Sequence, residues 1–163
     1  MTKQVAELVR RFKLPIRPVG LVGRDDDDAM YVKSCDDAYD EFFTLGMYHD
    51  DKLVATVQLT KNFTDTYQLN AMTRPDHRRQ GRQRLLVAVS LLLLRQLDND
   101  AVLDVLFKCQ EFMAAFSQYK TKQPLHNRLI IYTSDNQHTA AQTMRSWITL
   151  HQPDQPTKTD NIY

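Results

Sequence analysis

Cysteine is scarce in this chain: of 163 residues only Cys35 and Cys109 carry a thiol, and they stand far apart. That spacing makes neither a disulfide framework nor the paired C-x-x-C ligands of a zinc site, and a reducing cytoplasm is the expected home. Glycine and proline are few as well, four and six residues, which excludes collagen-like and low-complexity chains. No charge of one sign prevails, since 21 Lys and Arg stand against 20 Asp and Glu, a formal net charge of +1. The whole chain therefore has no long-range field drawing it to nucleic acid or an anionic membrane, and any such argument falls to local clusters. Long apolar runs are missing too. The longest, Leu85 to Leu94, contains Ser90 and is about half of the roughly 20 residues a membrane span needs, so it reads as a buried helix. Met1 to Arg11 lacks the apolar core and cleavage site of a signal peptide, and no export is expected. His49, His77, His126, His138 and His151 show no H-E-x-x-H or closely paired spacing, so no metal site is expected. The Asp25 to Asp28 run lacks the glycine and terminal glutamate of a calcium loop and reads as a solvated connection that at most attracts cations.

The length fits a single domain over residues 1–163. Val5, Leu8, Val9 and Phe12 repeat at helical spacing, and Pro15 and Pro18 end that helix near Lys13, with a loop following. After a strand candidate at Ala29 to Lys33, the stretches Glu41 to His49 and Leu53 to Thr60 flank Asp50-Asp51-Lys52 as a β-hairpin. A third strand, Thr66 to Thr73, is closed by Pro75, which cannot donate to a ladder. The spacing then predicts a helix over Arg82 to Leu97, apolar around nearly its whole circumference and hence buried against a sheet. Val102, Val105, Leu106, Cys109, Phe112, Met113 and Phe116 keep a three-to-four spacing that favours a further helix to about Tyr119, with Cys109 facing the core. Arg128 to Thr133 reads as a strand, and Asp135 or Asn136 as the cap of a helix through Thr139, Met144, Trp147 and Ile148; the tail from Pro153 reads as loosely held.

One segment works against local stability. Arg78, Arg79, Arg82 and Arg84 crowd the first turn of the Arg82 helix, where the macrodipole is positive and each added cation costs about 0.3 to 1 kcal/mol. Free N–H groups at a helix start form an anion site and guanidinium forks recognise phosphate, so a phosphate or pyrophosphate ligand would resolve the conflict, with Gly81 allowing close backbone approach. The competing reading is a solvated basic face paired with Asp76 or other acids.

The segment from Thr73 through Arg78, Arg79, Gln80, Gly81, Arg82, Gln83 and Arg84 to Leu86 resembles the acetyl-coenzyme A motif of the GCN5-related N-acetyltransferases (GNAT). In that pattern a strand is followed by Pro, Arg or Gln, two residues, Gly, one residue, Gly or Ala, then an apolar helix; Pro75, Arg78 and Gly81 match in order, and the likeness covers about Phe42 to Leu97. Two positions depart from it: Arg82 stands where an apolar residue is usual, and Gln83 where a second small residue is. Either the loop adapts, with Gln83 donating to phosphate, or the site is degenerate.

The resemblance implies an α/β (α+β) domain with a bent, mostly antiparallel sheet flanked by helices on both faces. It implies acetyl-CoA as co-substrate and direct transfer to a primary amine of a small molecule or protein, without a covalent enzyme intermediate. Ala71, Met72 and Thr73 would offer backbone groups to the pantetheine arm, and a tyrosine would protonate the departing thiolate. Two registers stay open. With Arg128 to Thr133 as the family's fifth strand, Asn136 and Ala140 match its next helix start and Thr143 or Met144 falls at the tyrosine position; with Val102 to Phe107 as that strand, Tyr119 falls there instead. Glu41, Asp65 and His49 are candidate bases. Two readings compete with the enzyme. One is a coenzyme-binding or interaction module without turnover; the other is a phosphate-backbone grip on nucleic acid with Tyr67 or Phe63 stacking on bases, against which the near-neutral charge and the single short cluster stand. A thiol nucleophile at Cys109 is set aside because nothing in the sequence activates it.

Overall fold

The computed structural model describes residues 2–26, 30–34, 42–62, 64–107 and 110–151. Glu41, Phe63, Cys35, Cys109 and the tail from Pro153, all singled out above, lie outside the described residues, as do Asp27 and Asp28. Helix α1 (Thr2–Phe12) is followed by β1 (Ile16–Val19), β2 (Leu21–Arg24), β3 (Met30–Ser34), β4 (Phe42–His49), β5 (Lys52–Lys61) and β6 (Tyr67–Thr73). Then come a 3-10 turn at Pro75–His77, helix α2 (Arg82–Leu97), β7 (Val102–Leu106), the short α3 (Gln110–Met113), β8 (Lys122–Leu125), β9 (Arg128–Tyr132) and α4 (Gln137–Leu150). Seven strands form one sheet in the order β1-β4-β5-β6-β7-β9-β8, and β2 with β3 forms a separate two-stranded ribbon. All pairings in the large sheet are antiparallel except β6 with β7.

Local signals explain several elements. Asp50 and Asp51 both adopt positive φ (50° and 64°), as the two central residues of a type I′ hairpin turn must, and this turn matches the twist of β4 and β5. Helix α2 runs over the expected Arg82–Leu97, and its nine residues from Leu85 to Leu94 other than Leu92 are buried. Ser90 is accommodated there because its Oγ donates to Leu86 O (2.7 Å). Ala55, Val57 and Leu59 of β5, Leu103 and Val105 of β7 and Ile131 of β9 share one core with Val5 and Val9 of α1, the apolar face of α2 and Ala140 of α4. Helices α2 and α4 pack on each other, α1 packs on β1 and α2, and β3 of the ribbon meets β5. Among the described residues no helix is long and apolar enough to cross a membrane.

Two expectations are corrected. The segment after Pro15, expected as loop, contains β1, an edge strand pairing only with β4; an edge tolerates Pro18 because a missing N–H costs nothing where there is no further strand. The helix expected from Asp98 to Tyr119 is instead β7 followed by the one-turn α3 and a 3-10 turn at Ala114–Phe116. Leu103, Val105 and Phe107 also alternate with period two, and among the apolar residues from Val102 to Phe107 those three are the buried ones. The pairing with β9, locked by Arg128 donating to both Asp104 carboxylate oxygens (2.8 and 2.6 Å), selects the strand.

Candidate functional site

The parallel neighbours β6 and β7 are paired only at Tyr67 with Leu103 and Gln68 with Asp104, whereas β6 stays paired with β5 through to Thr73. Beyond Gln68 the two strands are no longer paired, and a cleft of about 600 Å³ is lined by the end of β6, the start of α2 and the segment that follows β7. One wall is Ala71, Met72 and Thr73, the opposite wall is Phe112, Ala114 and Ala115, and the open end carries His77, Arg78, Arg79, Gly81, Arg82, Gln83 and Arg84, with Arg24 reaching in from β2. Arg74 N donates to Val54 O (2.8 Å); antiparallel alternation then turns the carbonyl of Thr73 away from β5 and toward the cleft.

Gly81 is the N-cap of α2 with φ 79° and ψ 4°, and no side chain caps this end. The first helical bond is Leu85 N to Gly81 O (3.0 Å), so the N–H groups of Arg82, Gln83 and Arg84 have no intrahelical acceptor. Arg79 is also left-handed (φ 62°), which curls the loop between Pro75 and α2. Three of the loop's arginines donate to neutral oxygens: Arg78 Nε to Thr73 O (3.2 Å), Arg84 Nη2 to Ala114 O (3.2 Å), and Arg82 Nη1 to Gln80 Oε1. Asp76, the acid expected to neutralise this cluster, pairs instead with Arg74 (3.3 Å) and His77 (3.8 Å). Burial depresses the pKa of the Arg82 guanidinium, the signature of a cation taken partly out of water. A helix N-terminus surrounded by guanidinium groups that bond neutral oxygens favours an anion.

Gln83 lies where a small residue was expected. Its Nε2 donates to Met72 O (3.1 Å) and Thr73 Oγ1 (2.5 Å), pinning the first turn of α2 to the end of β6. Its Oε1 is buried and accepts no hydrogen bond among the described residues.

Asn136, Tyr119, Gln80, His49 and Asp65 are not in the cleft lining. Asn136 belongs to the register that the structure rejects, and its buried amide is spent on backbone: Nδ2 donates to Lys120 O (3.0 Å) and Tyr132 O (2.9 Å), and Oδ1 accepts from Lys120 N (2.8 Å). Tyr119 belongs to the register that the structure adopts, yet it is buried outside the cleft lining, and among the described residues its hydroxyl meets no partner in hydrogen-bonding geometry. Burial pushes its phenol pKa up, and the nearby Thr143, Gln118 and Arg84 oppose that shift without cancelling it. Gln80 is exposed in the loop outside the cleft wall.

Sequence reasoning missed His77 and Arg24. His77 was weighed only as a metal ligand; in the structure it lines the cleft, packs edge-on against His49 (5.4 Å between rings), and burial lowers its pKa against the opposing pull of Asp76. Asp65 sits outside the cleft, 3.8 Å from Lys61. No local signal could have found Arg24, because its place depends on how the ribbon docks.

Solved structures that superpose on this chain include N-acetyltransferase domains. The GNAT domain of PAT from S. lividans superposes with a TM-score of 0.53 at 14% identity, over 72% of this chain and 89% of that one. This chain has the GNAT fold. Mutant forms of the spermidine/spermine N-acetyltransferase SpeG from Vibrio cholerae superpose with a TM-score of 0.50 at 14% identity, over 63% of this chain and 72% of that one. No protein-family model and no curated protein matches the chain. In chain order β6 and β7 are the fourth and fifth strands of the large sheet, and the ribbon β2–β3 is inserted in sequence between its first two strands, β1 and β4.

Proposed function

We propose that this GNAT-fold chain transfers an acetyl group from acetyl-CoA to a primary amine. The observation that carries the reading is the end of β6–β7 pairing at Gln68 and Asp104, with the uncapped, arginine-lined start of α2 lining the cleft beyond it. The pyrophosphate is the ligand this end favours: the N–H groups of Arg82, Gln83 and Arg84 and the side chains of Arg78, Arg79 and Arg82 supply donors and charge. Ala71, Met72 and Thr73 supply the strand groups that the amides of a pantetheine arm would meet. In the transfer itself the amine nitrogen bonds to the thioester carbonyl carbon, the C–S bond breaks, and the electron pair leaves on sulfur, which takes a proton. The acceptor must first lose its ammonium proton; of the described cleft residues His77, kept neutral by burial, is the group suited to accept it near pH 7. Tyr119 is the candidate donor to the thiolate, and it lies outside the cleft lining of this structure. An amine acceptor accords with the Vibrio cholerae neighbour SpeG, a spermidine/spermine N-acetyltransferase.

A second reading, a coenzyme-binding module without turnover, is favoured by the burial of Tyr119 and the Gln83 tie across the cleft. Calorimetric titration with acetyl-CoA and, separately, a short DNA duplex at moderate salt tests both. Micromolar coenzyme binding with no DNA binding supports the reading, and a screen of amines for thiol release then separates transferase from module. No binding of coenzyme would refute it, and DNA binding that falls steeply with salt would favour a nucleic-acid grip.

A further inference from the structure

Gln83, the second residue of α2, lines the cleft together with Ala71, Met72 and Thr73. Its amide can be oriented in only one way. Met72 O is a carbonyl and can only accept, so the amide atom 3.1 Å from it is Nε2, and the other Nε2 proton goes to Thr73 Oγ1 at 2.5 Å. Both donor protons are thereby engaged, which rules out the donation from Gln83 to phosphate that the sequence allowed. What is left is Oε1, a buried acceptor with no hydrogen-bond donor among the described residues. A buried carbonyl without a donor is destabilising, and native proteins seldom keep one without a use for it.

A phosphate group is the wrong partner for this oxygen, because ionised phosphate oxygens are acceptors too. The pyrophosphate is served instead by the main-chain N–H groups at the start of α2. The Gln83 side chain calls for a donor, and along the strand end Ala71 to Thr73 the group that brings N–H donors is the pantetheine arm with its amides. We infer that Gln83 Oε1 accepts a hydrogen bond from an amide N–H of the pantetheine arm, so that Gln83 favours the whole coenzyme over a bare nucleoside diphosphate; this rests on the acetyl-CoA reading above. One residue then serves two parts of the ligand, its main chain the pyrophosphate and its side chain the arm. A small residue at this position would offer the arm no such acceptor.

The test is calorimetric binding of two ligands, coenzyme A and adenosine diphosphate, to the native protein, Gln83→Met and Gln83→Ala. Adenosine diphosphate carries the adenine and the pyrophosphate but no pantetheine arm. Losing one neutral hydrogen bond should weaken coenzyme A binding roughly three- to tenfold in both variants and leave adenosine diphosphate binding unchanged. Equal losses for the two ligands overturn the inference, because they mark Gln83 as a structural tie that positions the start of α2. Unchanged or tighter coenzyme A binding also overturns it, the tighter case meaning that the side chain only fills space the coenzyme needs. A second measurement needs no variant: in the native protein the Gln83 side-chain amide protons should shift by nuclear magnetic resonance when coenzyme A binds and hold their positions with adenosine diphosphate. The same response to both ligands overturns the inference and leaves the coenzyme site standing. Absence of coenzyme A binding by the native protein overturns both the inference and the acetyl-CoA reading.

Discussion

Replacing Gly81 by alanine tests whether the loop before α2 is built as described. Gly81 holds φ 79°, and a Cβ built on it would find its nearest neighbour, Trp147 Cδ1, at 3.8 Å, an ordinary contact. No clash enters, so the cost is conformational alone. A left-handed backbone costs an L-residue about 1 to 2 kcal/mol, and the stiffer unfolded chain returns about 0.4 to 1 kcal/mol of that. The expected net loss is about 1 kcal/mol, or about 2 to 4 °C in Tm for a chain of this size. Urea and thermal unfolding followed by circular dichroism would measure it. Gly81→Asn should lose less, because asparagine enters the left-handed region more readily. A loss above about 3 kcal/mol would mean that a Cβ meets something hard, and no loss, or equal loss in both variants, would mean that the residue is not left-handed; either result refutes this account of the loop. Gly81→Trp then carries the functional arm: with backbone approach to the pyrophosphate blocked, coenzyme binding should vanish.

Asn136→Ala removes three backbone-directed hydrogen bonds at a buried position; it should cost about 2 to 4 kcal/mol in unfolding and leave coenzyme affinity in the surviving fold unchanged, whereas a selective loss of affinity would mean that Asn136 contacts the coenzyme. Tyr119→Phe removes a buried hydroxyl with no partner, so stability should hold or rise slightly; a fall in kcat at constant stability and coenzyme affinity would identify it as the acid. Burial lowers the His77 pKa below its usual 6.5, so between the folded value and 6.5 the unfolded chain binds more protons and stability falls as pH drops through that window. Nuclear magnetic resonance titration should place His77 below 6.5, and a bound phosphate nearby should raise it; a value at or above 6.5 in the free protein contradicts the burial argument.

The boundaries of α2 and the β4–β5 turn were legible because their causes are local. Gly81 starts the helix, Asp98 follows its last turn, and two adjacent aspartates suit a turn that needs positive φ twice. The arginine cluster was legible for the same reason: charge at a helix start is a conflict visible within a few residues. Val102 to Leu106 was not, since Val102, Val105 and Leu106 fit a helical stripe while Leu103, Val105 and Phe107 fit a strand. The decision came from β9, some 25 residues onward, through a ladder and the Asp104–Arg128 bond. That choice rejected the register naming Asn136 and adopted the one naming Tyr119, yet Tyr119 is buried outside the cleft lining. Tertiary structure alone brought Arg24 beside Arg78, because the docking of a separate ribbon on a carbonyl 49 residues away leaves no trace in local pattern. Composition and periodicity thus determined where chemistry could gather; strand pairing over long separations decided which side chains reach it.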